Sequence, residues 1–307
     1  MPELGRQENE NTHQQGKERS NGMIIDFRMV VPIREYVDPE EAKRKLPASY
    51  MKGYVGTYEE AALLVDVSVE DLIRSMEKGG VDKAVMQAEW AFGDYRKQND
   101  AAYRIVKKYP DRFVAAYMCV NPLEDDDMAG IVEREVGDRG FKGVNIQPFA
   151  YRVRCNDKRF YPLYEKCQEL DIPVTIHTSI NFSTNRSIDF GRPLYLDEIA
   201  CDFPDLTIVA NHGGWPWVTE MVAVAWKHPN VYIEIGAVSP KYIGMPGTGW
   251  DPIMVYGNSL LQDRILFATD NMLPAKRCIE EINTLPLKGL VKEKWLGLNA
   301  SRLLNLD

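Results

Sequence analysis

The sequence predicts an α/β protein, a single (β/α)8 TIM barrel with an insertion after its first strand. Three observations predict it. Eight short apolar runs alternate with amphipathic segments from residue 23 to the end, and a parallel strand needs a crossover helix to reach its neighbour. Three of those runs end in an ionisable residue: 173–177 in His177, 207–211 in Asn211-His212-Gly213-Gly214, and 264–270 in Asp270. Parallel α/β barrels carry their chemistry at the carboxyl ends of strands. Finally, the 307 residues contain no internal linker and no short-period repeat, and suffice for one large barrel.

Residues 1–22 are rich in Gln, Asn, Glu and Gly, with Leu4 as their one large apolar residue. Such a segment has too little to bury and reads as a disordered tail, with His13 outside any site. The folded domain then spans 23–307. It opens with a strand over 23–27, with Arg28 at its carboxyl end. Residues 30–65 hold Pro32, Pro39 and Pro47 and exceed an ordinary loop. They read as an insertion over the barrel mouth, partly helical around 40–46, because long loops in compact domains are usually functional. Regular alternation follows. A helix over 69–78 stops at Gly79-Gly80. Strands over 83–87, 113–120, 141–146, 173–177, 207–211, 231–235 and 265–268 alternate with helices over 95–109, 125–136, 162–170, 194–201, 215–227 and 251–261. Two helices, 275–283 and 292–304, close the chain.

Composition narrows the function. A net charge of −8 argues against nucleic-acid binding, which needs basic patches. No apolar run reaches membrane-spanning length, and no secretory leader is recognisable. Cys119, Cys155, Cys167, Cys201 and Cys278 are odd in number and form no CxxC pair, so neither a disulfide framework nor a thiolate zinc site is indicated. None carries a nucleophile motif. Reduced thiols point to a cytoplasmic protein, and a homodimer is a compatible assembly.

His212 and Asp270 are the first candidates for proton transfer, since imidazole titrates near neutrality and a carboxylate can orient it. The plain alternative is a structural His–Asp hydrogen bond, and His177 has the same two readings. Arg28 is telling. An arginine in a first barrel strand needs an anionic partner, either internal (Asp26 or Asp270) or the carboxylate of a substrate. Arg152 and Arg154 follow strand four and add positive charge at the mouth, unless solvated there. Glu89, Trp90 and Gln147 end their strands and join the substrate-binding candidates, and Asn121 follows strand three. Glu234 could point inward or toward a helix. Trp215, Trp217, Trp90 and Phe149 could wall the site, though tryptophans at 215 and 217 more often pack a helix. Lys241, Tyr242 and the glycines from Gly244 to Gly249 form a loop suited to a lid.

Thr175-Ile176-His177, Asn211-His212-Gly213-Gly214, Phe267-Ala268-Thr269-Asp270 and the closing stretch from Gly297 to Leu304 resemble the amidohydrolase-related family over nearly the whole chain. That family includes aminocarboxymuconate-semialdehyde decarboxylase, resorcylate-type decarboxylases, oxalomesaconate hydratase and lactone hydrolases. The resemblance implies a metal held by His177 and Asp270, with His212 as acid/base or as a further ligand. Two family motifs are altered. The first-strand Ile-Asp-x-His-x-His stands here as Ile25-Asp26-Phe27-Arg28-Met29-Val30, and Gly-x-Lys-x-His-Pro stands as Gly143-Val144-Asn145-Ile146-Gln147-Pro148.

A catalytic zinc wants three protein ligands, and a guanidinium is never one. The metal site is therefore incomplete. It could be weak, rebuilt from Glu234 or Glu89, or absent. The expected cofactor is none, or a weakly bound divalent ion such as Zn²⁺. The expected activity is hydrolysis or non-oxidative decarboxylation of a small carboxylated or carbonyl compound, an anionic small molecule. The alternatives are a metal-independent lyase, hydratase or isomerase on the same barrel, and a non-catalytic binding protein.

Overall fold

The computed structural model describes residues 22–38, 40, 67–89 and 94–306. Residues 1–21 of the N-terminal tail, residues 39 and 41–65 of the insertion with all but the first position of its expected helix at 40–46, and Trp90 lie outside the described residues. Eight strands pair in parallel and in sequence order: β1 Ile25–Val30, β2 Lys83–Gln87, β3 Phe113–Cys119, β4 Gly143–Ile146, β5 Val174–His177, β6 Ile208–Asn211, β7 Val231–Glu234 and β8 Ile265–Leu266. The ring closes just beyond the short β8. Phe27 N–H donates to the Phe267 carbonyl at 2.9 Å, and Asp270 N–H to the Arg28 carbonyl at 3.0 Å. The fold is the single (β/α)8 barrel that the alternation predicts.

The main helices on the outer face are α1 Val69–Gly79, α2 Tyr95–Lys108, α3 Met128–Arg139, α5 Tyr161–Glu169, α6 Leu194–Asp202, α7 Val218–Lys227, α9 Asp251–Gly257 and α10 Ala275–Thr284. Short turns α4 Pro148–Tyr151 and α8 Pro240–Ile243 follow β4 and β7. The last expected helix is three pieces, α11 Gly289–Glu293, a π-helical turn Lys294–Leu298 and α12 Asn299–Leu303. Among the described residues no helix is long and apolar enough to cross a membrane.

Local chemistry sets these bounds. The Ser68 hydroxyl accepts from Asp71 N–H at 3.1 Å and the Asp71 carboxylate accepts from Ser68 N–H at 2.9 Å, a capping box that starts α1. The helix expected at 125–136 starts later because Asp127 caps it, accepting from Gly130 N–H at 2.9 Å. The helix expected from Trp215 begins only at Val218. His212, Gly213 and Gly214 all take positive φ, at 67°, 65° and 80°, and Trp215 is extended. The chain must turn off the strand end before it can coil, and the two glycines permit that turn.

β1 also differs from expectation. It does not end at Phe27 but continues through Arg28 to Val30. Its register with β2 shifts by one residue between Asp26 and Met29. This bulge lets two consecutive residues, Phe27 and Arg28, both face the barrel interior, where strict alternation would separate them.

Inside the barrel, Ile25, Phe27, Val85, Ala115, Tyr117, Val209 and Leu266 form an apolar layer, with Leu303, Leu304 and Leu306 packed against it from the chain end. One inward position further along the strands the lining turns polar, with Arg28, Gln87, Asn145, Thr175, Asn211 and Glu234 all 0% exposed. The larger apolar cluster, which includes Met86, Met118, Ile146, Ile176 and Ile233, seals the sheet against the helices.

Candidate active site

The polar layer is organised by Arg28. Its Nε donates to Asp270 Oδ1 at 2.7 Å, its Nη2 to Glu89, and its Nη1 to Gln87 Oε1 at 2.6 Å and Asn145 Oδ1 at 3.4 Å. The two amide partners are themselves fixed. Gln87 donates to the Phe27 carbonyl at 2.9 Å, Asn145 to the Ala88 carbonyl at 2.8 Å, and the Thr175 hydroxyl lies 3.1 Å from both side-chain carbonyls. Of the partners that the sequence leaves open for Arg28, the structure supplies Asp270 and adds Glu89. Asp26 instead accepts from Thr269 Oγ1 at 2.5 Å and from the backbone N–H groups of Thr269 and Arg28 at 3.1 Å each. Burial pushes Asp26 up to about 7 despite those bonds. It holds the β8 end onto β1.

His177 and His212 stand over this layer at the ends of β5 and β6, with ring centroids 4.8 Å apart. Phe149, on α4, packs edge-on against His177 at 4.6 Å. Burial holds the His177 imidazole well below its ordinary pKa, and the neighbouring His212 and Arg28 push the same way. Burial, with Arg28 second, brings His212 down to about 3. Both rings are therefore neutral. His212 Nδ1 lies 3.2 Å from the Gly236 carbonyl, which can only accept, so Nδ1 carries the proton and Nε2 keeps its lone pair. Glu234 is fully buried at the end of β7, with Oε2 4.0 Å from His212 Nδ1. Its Oε1 accepts from Gly236 N–H. Burial raises it to about 8, although Arg28 pulls it down. Asp270 is raised by burial too, with Arg28 opposing.

Backbone strain gathers at the same place. His212, Ala237 and Asp270 follow the ends of β6, β7 and β8 with φ of 67°, 64° and 57°. Non-glycine residues rarely take such angles, and those that do cluster at functional sites. Buried polar atoms at the ends of β5, β6 and β7 also lack a protein partner: His177 Nε2, both side-chain atoms of Asn211, and Glu234 Oε2. Asn211 is the strand partner of His177. Unpaired buried polar atoms are costly unless something else satisfies them.

The remaining candidates sit at the rim. Gln147 is buried beyond β4 and precedes α4. Arg152 is exposed, with Nη2 3.4 Å from the Asn185 carbonyl, and Arg154 pairs with Asp189 at 2.8 Å. Trp215 is a strut: its indole N–H donates to the Thr248 carbonyl at 3.1 Å, and its own carbonyl accepts from Ile180 N–H at 2.9 Å. It ties the loop after β5 to the loop of the glycines 244–249. Trp217 is the N-terminal cap residue of α7. Asn121 shapes a turn, its side chain accepting from Leu123 N–H at 3.1 Å.

Sequence reasoning missed Gln87, Asn145, Thr175 and Asn211 and left Glu234 undecided. A signal existed: β2, β4, β6 and β7 each carry a polar residue late in an apolar run, and β5 carries Thr175 two residues before His177.

The donor set does not suit a divalent ion on the barrel floor. Asp270 already holds Arg28, and the guanidinium lies where first-strand ligands would be needed. Among the described residues the one group of three His, Cys, Asp or Glu side chains whose ligand atoms lie within 4.8 Å of one another is Asp197, Cys201 and His228, on the outer helices. There the Lys227 ammonium already lies 2.7 Å from Asp197 and 3.7 Å from Cys201 Sγ.

Comparison with known proteins agrees with this fold. A 2-keto-4-carboxy-3-hexenedioate hydratase from a Sphingobium species is 33% identical over 135 residues, which span 38% of this chain and 39% of that relative's length. An uncharacterised TIM-barrel protein from Bordetella bronchiseptica superposes with a TM-score of 0.70 at 29% identity, covering 92% of this chain and 98% of that one. A 5-carboxyvanillate decarboxylase from Novosphingobium aromaticivorans, solved with bound manganese, shares the fold at a TM-score of 0.68 and 18% identity, covering 93% and 98%. The amidohydrolase family model matches residues 25–306, from the first barrel strand to the leucines beneath the floor, and the chain belongs to the amidohydrolase family.

Proposed function

We propose that the protein is a lyase acting on a small carboxylated compound, and that it releases CO2 without oxidation. The observation that carries this reading is the meeting of His177 Nε2 and the Asn211 side chain, both buried and unpartnered, with the Arg28–Asp270 pair and His212. Polar atoms left open beside a fixed cation are what an anionic substrate would satisfy. The hydratase relative and the decarboxylase of the same fold support the substrate class.

In decarboxylation the bond between the carboxyl carbon and its neighbour breaks and CO2 leaves. The electron pair stays on the substrate carbon, which then takes a proton. The fifth N–H of the Arg28 guanidinium, beyond the four that Asp270, Glu89, Gln87 and Asn145 hold, stabilises the negative charge that develops there. Glu234, held protonated near neutral pH with its Oε2 open, supplies the proton and is recharged from solvent, while the Nε2 lone pair of His212 accepts a hydrogen bond from the substrate and fixes it for that transfer. No step uses a metal. His177 and Asn211 orient the substrate, and Phe149 limits the water that reaches the site.

A second reading, addition of water to a carboxylated enol or alkene, is favoured by the His212 tautomer. Its Nε2 lone pair is free to take a proton from water. A panel of hydroxybenzoic and unsaturated keto acids separates the two, with CO2 release and carbon NMR as readouts. Loss of CO2 from at least one acid, lowered about 100- to 10,000-fold by Glu234→Gln and about 100-fold by His212→Asn through lost positioning, is expected. Water uptake without CO2 release would select the second reading. Turnover of neutral esters or lactones alone would overturn both.

A further inference from the structure

The resemblance to metal-binding relatives and the atoms on the floor of this barrel disagree. Arg28 is fully buried. Of the five N–H bonds of a guanidinium, four meet acceptors here, on Asp270, Glu89, Gln87 and Asn145. Two of those acceptors are carboxylates, so the charge is held as well as the geometry. A divalent ion in this position would have to strip Arg28 from Asp270 and would then face a fixed positive charge at contact distance. Tetrahedral zinc with bonds of about 2.0–2.2 Å needs its ligand atoms about 3.5 Å apart. No three such atoms of the barrel mouth come within 4.8 Å of one another among the described residues.

We propose that the Arg28 guanidinium takes the place of the divalent ion, so that the site binds no metal and works with a built-in cation. The inference rests on the lyase reading for its chemistry but not for its test. A guanidinium can stabilise charge on a carboxylate or enolate through hydrogen bonds. It cannot ligate water and acidify it as a metal ion does. The substrates it fits are therefore acids whose negative charge builds on their own oxygen atoms.

The test is metal binding, read without activity. The full chain carrying Cys201→Ser, which removes the outer-helix group, is dialysed against Mn²⁺ or Zn²⁺ at micromolar concentration and measured by elemental analysis. Well below one equivalent is expected. Metal that remains but is unaffected by His177→Ala lies elsewhere and leaves the proposal standing. One equivalent that is lost with His177→Ala or Asp270→Asn overturns it. In the same background Arg28→His should tighten zinc binding at least tenfold, and no gain would likewise overturn the proposal. If Arg28→His fails to fold, the Cys201→Ser titration decides alone. Absence of turnover on every acid would sink the lyase reading and leave this measurement untouched.

Discussion

The barrel interior has two layers of similar burial and opposite chemistry. The lower one, around Phe27, Tyr117 and Leu266, is closed by apolar contact, with Phe27 and Tyr117 edge-to-face at 5.9 Å. The upper one, around Arg28, Gln87 and Asn145, is closed by hydrogen bonds and charge. The lower layer needs little beyond apolar neighbours, the Tyr117 hydroxyl being its one buried atom without a partner among the described residues. The upper layer needs more: it leaves His177 Nε2, Glu234 Oε2 and the Asn211 amide unsatisfied. Stability and function are thus separated by one step along each strand, and substitutions on either side of that step should behave differently.

Arg28→Met should break the comparison most severely. It leaves Asp270 and Glu89 in a nearly dry site without their cation, at about 3–5 kcal/mol. Urea unfolding should report that loss, and turnover should vanish with it. Phe27→Ala in the lower layer should lose a similar roughly 3–5 kcal/mol through the cavity it opens. Here, however, the folded fraction should keep its kcat, and a kcat that fell with stability would merge the two layers into one unit.

Glu234→Gln sharpens the comparison through pH. The folded pKa of Glu234, about 8, lies above its ordinary value of 4.5. Its stabilising contribution is complete below about 4.5 and is lost as pH rises toward 8. The amide does not ionise, so the variant should gain melting temperature over the parent at pH 8.5 and show little difference at pH 4.5. Decarboxylation by the parent should fall as pH rises through 8, and an alkaline limb that survives in the variant would remove Glu234 from the reaction. The smallest effect belongs to Asn211→Leu. Replacing an unpaired buried amide by an apolar side chain of like size should stabilise the free protein by about 1 kcal/mol and raise KM.

Much of this was legible in the sequence. Alternation located the strands, and abrupt strand ends picked out His177, His212 and Asp270, because a barrel gathers its strand ends in one place. Arg28 was legible as a buried charge in need of an anion. Its position inside β1 was not, because the bulge between Asp26 and Met29 leaves no mark in the pattern of apolar residues. Glu89 was read as a strand-end residue without its role as counter-ion, since pairing across the barrel depends on register. The tight turn at Asn211-His212-Gly213-Gly214 was legible in its pair of glycines. Its consequence, a helix delayed to Val218, was not, since Trp215 and Trp217 fit a helical pattern equally well.

The Arg28–Asp270 pair joins residues 242 positions apart, and the backbone bonds that close the ring lie beside it. Contacts so distant along the chain form only after the intervening segments have organised. A barrel whose eighth strand has not yet met its first therefore has no assembled cation on its floor. During folding, the ability to bind an anion should emerge last and all at once, together with closure. A ligand that binds this floor would act as a clasp on the seam between first and last strand, and would slow unfolding more than it speeds folding.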